Sequence, residues 1–101
     1  WTGGPYGVGK RIHLPYTRSM VRAVLTGQLD HVCTQKDALF GLNLPTACPD
    51  VPSEVLDPRR TWADPAAYDE KARQLIAHFQ KNFELFAAGV SREVTEAGPR
   101  I

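Results

Sequence analysis

The residues most suggestive of chemistry are Gly4-Pro5-Tyr6-Gly7-Val8-Gly9-Lys10, which fit the G-x-x-x-x-G-K spacing of a phosphate-binding loop. In such a loop backbone amides cradle phosphates, the lysine neutralises them, and a following Ser or Thr hydroxyl ligates Mg²⁺. Position 11 is Arg, which cannot ligate a cation. The loop should also lead straight into a helix whose N-terminus faces the phosphates, and Pro15 speaks against an uninterrupted helix there. The phosphate-loop reading therefore fails two requirements. Two readings stay open: a structural glycine turn, or a secondary nucleotide contact. In the second, the amides of Gly7 and Gly9 and the cations Lys10 and Arg11 line an anionic ligand.

Other candidates are weaker. Asp30, His31 and Cys33, with Cys48 fifteen residues on, match no usual zinc spacing, and solvated or half-buried side chains are expected. His13 lies in the apolar RIHL stretch with no nucleophile beside it, and His78 falls at the edge of a helix. Asp69 and Glu70 are adjacent on that helix and point apart, so they form a solvated face and not a catalytic pair. Trp62 reads as a packing anchor near the helix start.

Composition narrows the function classes. Twelve Lys and Arg against eleven Asp and Glu give a formal net charge of +1, and the basic residues are scattered. Binding to nucleic acid or an anionic membrane surface needs clustered cations, so neither partner is expected. No run approaches the ~18–20 apolar residues of a membrane-spanning helix, and no signal region opens the chain. Two cysteines are too few for a disulfide scaffold, so free cytosolic thiols are expected. A start at Trp1, inside a glycine-rich loop, reads as a cut from a longer chain.

The elements that must position these residues can be read from pattern. Residues 1–10 carry four of the eight glycines and form a glycine-rich loop. RIHLPY is expected to be extended, followed by a helix over 17–26 with Met20, Val21, Val24 and Leu25 on its packed face. Gly27 supplies its left-handed cap. Residues 28–63 read as a proline-punctuated strap, with a short strand in LFGLNLPT at 39–46. Asp64 as N-cap and Pro65 in the first turn open a long helix over 64–88, ended by Gly89. Its stripe of Tyr68, Ala72, Leu75, Ile76, Phe79, Phe83 and Phe86 needs a surface to bury against, part of it expected outside this chain. The tail, 89–101, shows no pattern and is expected to dock loosely. The fragment is expected to be mainly α, with one long helix, one shorter helix and short strands. A non-catalytic helical module, binding a partner through the Tyr68–Phe86 stripe, is the alternative to an enzyme fragment.

One resemblance runs through most of the chain. Trp1-Thr2-Gly3-Gly4, Gly9-Lys10-Arg11-Ile12, Thr17-Arg18, Phe40-Gly41-Leu42, Pro45-Thr46, Cys48-Pro49, Val51-Pro52 and Leu56-Asp57-Pro58-Arg59 occur in an order and spacing that, over residues 1–86, closely resembles the C-terminal end of ATP-type phosphoenolpyruvate carboxykinases. The resemblance implies part of an α/β nucleotide-binding domain from a cytoplasmic gluconeogenic enzyme. That enzyme decarboxylates oxaloacetate and transfers phosphoryl from ATP, giving phosphoenolpyruvate, ADP and CO₂. It implies Mg²⁺ with the nucleotide and Mn²⁺ at the substrate. By resemblance Arg11, Ile12 and Thr17 are nucleotide-binding positions, with Gly9 and Lys10 adjoining them. An arginine plane can stack on a base, Ile12 can touch the ring, and the Thr17 hydroxyl can bond adenine or ribose. The family's phosphate loop, metal ligands and oxaloacetate-binding arginine are not among these residues. The expected partner is therefore the missing N-terminal part of the same enzyme, and the chain alone is expected to be inactive.

Overall fold

A computed structural model describes residues 1–100. In chain order it contains helix α1 (Leu14–Leu25), strands β1 (Thr34–Lys36) and β2 (Asn43–Pro45), helices α2 (Pro58–Thr61) and α3 (Pro65–Phe83), and helix α4 (Arg92–Glu96). Short 3-10 turns lie at Ser53–Leu56 and Ala87–Gly89. About half of the described residues are helical, and the two strands form the only sheet among them.

Proline opens three of the helices: Pro15 in α1, Pro58 in α2 and Pro65 in α3. A first-turn N–H has no intrahelical partner, so a residue without one costs nothing there. This corrects the expectation of an extended RIHLPY segment. The helix begins at Leu14, three residues before the expected Thr17, because Pro15 sits where helices tolerate it. α1 closes with Gly27 at φ +75°; Gly27 N–H donates to the Val24 carbonyl and Gln28 N–H to that of Ala23, a complete Schellman cap.

The strap is more structured than its prolines suggested. β1 and β2 pair antiparallel, with Gln35 opposite Leu44. Asp37 ties the connecting loop by accepting from the amides of Leu39 and Phe40, at 2.9 and 2.6 Å. The strand expected over 39–46 is thus confined to Asn43–Pro45, and residues 39–42 belong to the loop between the two strands. Asp57 then caps α2 by accepting from Arg59 N–H, and Asp64 caps α3 by accepting from Ala66 N–H at 3.0 Å. A two-pronged ion pair joins these helices: Arg59 Nε and Nη2 donate to the two Asp69 oxygens at 2.9 and 3.0 Å. Trp62 meets Tyr68 edge-on, with ring centroids 5.5 Å apart.

α3 ends at Phe83, before the expected residue 88. Beyond Glu84 the amides of Leu85, Phe86 and Gly89 bond to carbonyls three residues back, so the helix tightens into 3-10 turns. The tail, expected to be patternless, carries α4, capped by Ser91. It docks through two bonds, Gln80 Nε2 to the Pro99 carbonyl and Arg100 N–H to that of Leu39.

The core is thin. Among the described residues Ala23, Cys48, Ala72 and Ile76 are the buried apolar side chains, and Ile76 alone among the large ones is wholly enclosed. The stripe is half used: Ala72 and Ile76 on α3 face inward, while Leu75 and Phe79 on α3 and Phe86 beyond it remain 43–57% exposed. On α1 most of the expected packed face is open. Ala23 is buried and Met20 half-buried, whereas Val21, Val24 and Leu25, the other expected packed residues, are 53–80% exposed. No other described element packs extensively on that face. The radius of gyration is 15.5 Å, against about 12.7 Å for a compact domain of this length.

Candidate functional site

The glycine-rich segment folds back on itself as a closed loop. Thr2 and Lys10 exchange two backbone hydrogen bonds of 2.7 and 2.8 Å. Inside this bridge the amides of Val8 and Gly9 both donate to the Pro5 carbonyl at 2.9 Å. Gly9 has to be glycine sterically, because a Cβ there would collide with the Gly4 carbonyl oxygen. A phosphate cradle needs amides that point outward and unbonded. The Gly9 amide is spent within the turn, which removes it from the set expected to line an anion. The loop's internal bonds fix where the chain leaves it.

The chain leaves the turn through Lys10, Arg11 and Ile12, and His13 stands at the N-cap position of α1 without a side-chain bond to the helix. Lys10 and Arg11 are exposed, and neither belongs to the two ion pairs formed among the described residues. Ile12 is half-buried. Thr17 lies in the first turn of α1, exposed, with its amide donating to the His13 carbonyl at 3.3 Å. Helical periodicity puts Thr17 on the same face as Leu14, Val21 and Leu25. Thr17, Arg18, Val21, Arg22, Leu25 and Thr26 line an open groove of about 540 Å³. The structure therefore sets Arg11 and Ile12 at the entry of α1 and Thr17 on its exposed apolar face. His13 packs its ring edge-on to Tyr16, at 5.1 Å between centroids, and has no nucleophile for a partner.

This donor set suits the nucleoside end of a nucleotide: a planar cation, an apolar side chain and a hydroxyl. It does not suit a phosphate cradle or a metal. Among the described residues no three His, Cys, Asp or Glu side chains gather to hold an ion. Asp30, His31, Cys33 and Cys48 are not brought together as a ligand set; Cys33 is exposed and Cys48 buried.

A separate cavity of about 610 Å³ lies between the hairpin and the α2–α3 pair and includes none of the expected site residues. The Arg59–Asp69 pair belongs to its wall. Hydrogen bonding to Arg59 holds the Asp69 carboxyl below its ordinary value, while burial pushes the Tyr68 hydroxyl up. The Asp37, Asp57 and Asp69 carboxylates around Tyr68 raise it further. These shifts belong to a structural clamp.

Comparison with known proteins identifies the class. A family model described as phosphoenolpyruvate carboxykinase matches residues 1–54. Three similar relatives, each named phosphoenolpyruvate carboxykinase (ATP), extend the match along the chain. The Thermus thermophilus protein is 54% identical over 100 residues, covering 99% of this chain and 19% of its own length. That of Rubrobacter xylanophilus is 50% identical over 101 residues, covering 100% and 19%. That of Lysinibacillus sphaericus is 55% identical over 98 residues, covering 97% and 18%. The chain belongs to the ATP-dependent phosphoenolpyruvate carboxykinase family. It spans about a fifth of the length of the curated relatives it matches. No described helix is long and apolar enough to cross a membrane.

Proposed function

We propose that this chain is the C-terminal part of an α/β carboxykinase domain and supplies the nucleoside side of its ATP site. The enzyme converts oxaloacetate and ATP to phosphoenolpyruvate, ADP and CO₂ in the cytoplasm. The carboxylate carbon leaves oxaloacetate as CO₂, its bonding electron pair forms the enolate, and the enolate oxygen takes the γ-phosphoryl group as ADP departs. Catalysis of that transfer is largely positioning and charge stabilisation. In this reading Arg11 stacks its guanidinium on the base, Ile12 covers the ring edge, and the Thr17 hydroxyl bonds the base or ribose. Gly9 and Lys10 shape the turn that carries Arg11. Holding the nucleoside fixes where the γ-phosphate can lie. Mg²⁺ on the nucleotide and Mn²⁺ at the substrate, held by residues elsewhere in the enzyme, would supply charge neutralisation.

The observation that carries this reading is the exposure of Arg11 and Thr17 beside an open apolar face of α1. Arg11 and Thr17 are open to solvent, and Leu14, Val21, Val24 and Leu25 beside them are 51–80% exposed. A small ligand cannot be enclosed by one convex helix face, and so much exposed aliphatic surface is unfavourable. The rest of the carboxykinase chain is the partner that closes the site, which explains both features together. The exposed half of the α3 stripe is assigned to the same intramolecular packing in preference to a foreign helix. The test is ATP affinity of the full-length enzyme carrying Arg11→Ala. It falls while oxaloacetate KM stays near wild type; unchanged ATP affinity removes Arg11 from the site.

A further inference from the structure

We infer that Thr61 is a positioning residue for the ATP site, setting the place of Arg11 through the glycine loop. The inference rests on the reading of Arg11, Ile12 and Thr17 as nucleotide contacts. The Thr61 hydroxyl is committed at both ends: it donates to the Pro58 carbonyl at 2.6 Å and accepts the Gly3 N–H at 3.2 Å, across 58 residues of sequence. Donation to Pro58 fixes the hydroxyl proton and leaves the oxygen lone pairs facing Gly3. Among the described residues this is the only side-chain hydrogen bond made to the loop at 1–10.

The backbone at the contact favours glycine. Gly3 has φ +86°, and a Cβ there would lie 3.5 Å from the Thr61 carbonyl oxygen. From Gly3 the constraint passes one residue to Thr2, across the paired backbone bonds to Lys10, and one residue on to Arg11. The other end is anchored, since α2 is capped by Asp57 and tied to α3 by the Arg59–Asp69 pair. Thr61 thus links a held helix to a turn whose own bonds are all internal.

Thr61→Val keeps the side-chain shape and removes both hydrogen bonds, and Thr61→Ser keeps both bonds. In the full-length enzyme Thr61→Val should raise KM for ATP by about three- to tenfold, the worth of one hydrogen bond. kcat and oxaloacetate KM stay within about twofold of wild type, and Thr61→Ser restores ATP KM, as befits loss of one positioning bond. Hydrogen exchange of residues 2–10 speeds up in the valine variant only. Faster exchange with unchanged ATP KM overturns the inference but spares the ATP reading, provided Arg11→Ala still weakens ATP. Equal loss in every parameter without rescue by serine marks Thr61 as merely structural and also overturns it. If Arg11→Ala leaves ATP untouched, the underlying reading fails instead.

Discussion

Residues 1–101 made alone should not fold into a cooperatively packed domain, and the deficit can be worked from exposed surface. A compact monomer of 11.2 kDa exposes about 5,700 Å². This chain exposes 7820 Å², an excess of roughly 2,100 Å². With somewhat more than half of that surface apolar, at ~25 cal/mol per Å², about 30 kcal/mol of burial is unrealised. Reducing this by ~40% for a compact denatured state leaves about 18 kcal/mol, above the ~5–15 kcal/mol net stability of ordinary domains. The isolated chain should therefore bind the dye ANS, give weak near-ultraviolet circular dichroism from Trp1 and Trp62, and show no sharp calorimetric transition. It should also consume no ATP in the presence of oxaloacetate. Adding the remainder of the carboxykinase should suppress ANS binding. A single cooperative transition without ANS binding in the isolated chain would refute the reasoning, since the exposed faces would then be stable without a cover.

Two further expectations concern packing and charge. Ile76→Ala should cost ~2–5 kcal/mol in the full-length enzyme, read from urea unfolding, because Ile76 is wholly enclosed. Phe79→Ala should cost about as much there, although Phe79 is 49% exposed in this chain, because the remaining protein covers its ring. A loss for Phe79 of half that or less would leave it a surface residue. The Asp69 carboxyl, held below its ordinary value of 3.8 by Arg59, stabilises the α2–α3 contact above that pH and loses the effect as pH falls through its lowered value. Hydrogen exchange across residues 57–70, corrected for intrinsic rates, should show wild type better protected than Asp69→Asn near neutrality. The two should converge in acid; a difference independent of pH would assign the effect to something other than the ion pair.

Local signals in the sequence were legible where the chemistry is local. Asp64-Pro65 announces the start of α3 and Gly27 the end of α1, because caps and left-handed turns depend on one or two residues. Asp57-Pro58 carries the same signal for α2, and Ser91 that for α4, yet both lie in stretches without apolar periodicity to draw the eye. β1, Thr34-Gln35-Lys36, is polar and exposed throughout and becomes a strand only by pairing with β2. The packed face of α1 is not legible because Val21, Val24 and Leu25 imply a burying partner without saying which part of the chain provides it. Arg11, Ile12 and Thr17 stand out only through resemblance; nothing in their spacing alone marks a nucleoside site. Thr61 is invisible in the sequence, since its partner is 58 residues away. The internal bonding of the Gly9 amide likewise emerges only when the loop closes through Thr2 and Lys10.

Calorimetric titration of ATP into the full-length carboxykinase, wild type against Arg11→Ala, tests the central claim most directly. Loss of a guanidinium that stacks on the base should weaken binding by about tenfold, equivalent to ~1.4 kcal/mol. Oxaloacetate binding should be unchanged, since none of its ligands is assigned to this chain. Equal ATP affinity in the two proteins would contradict the account, leaving the glycine loop and the entry to α1 as structure only.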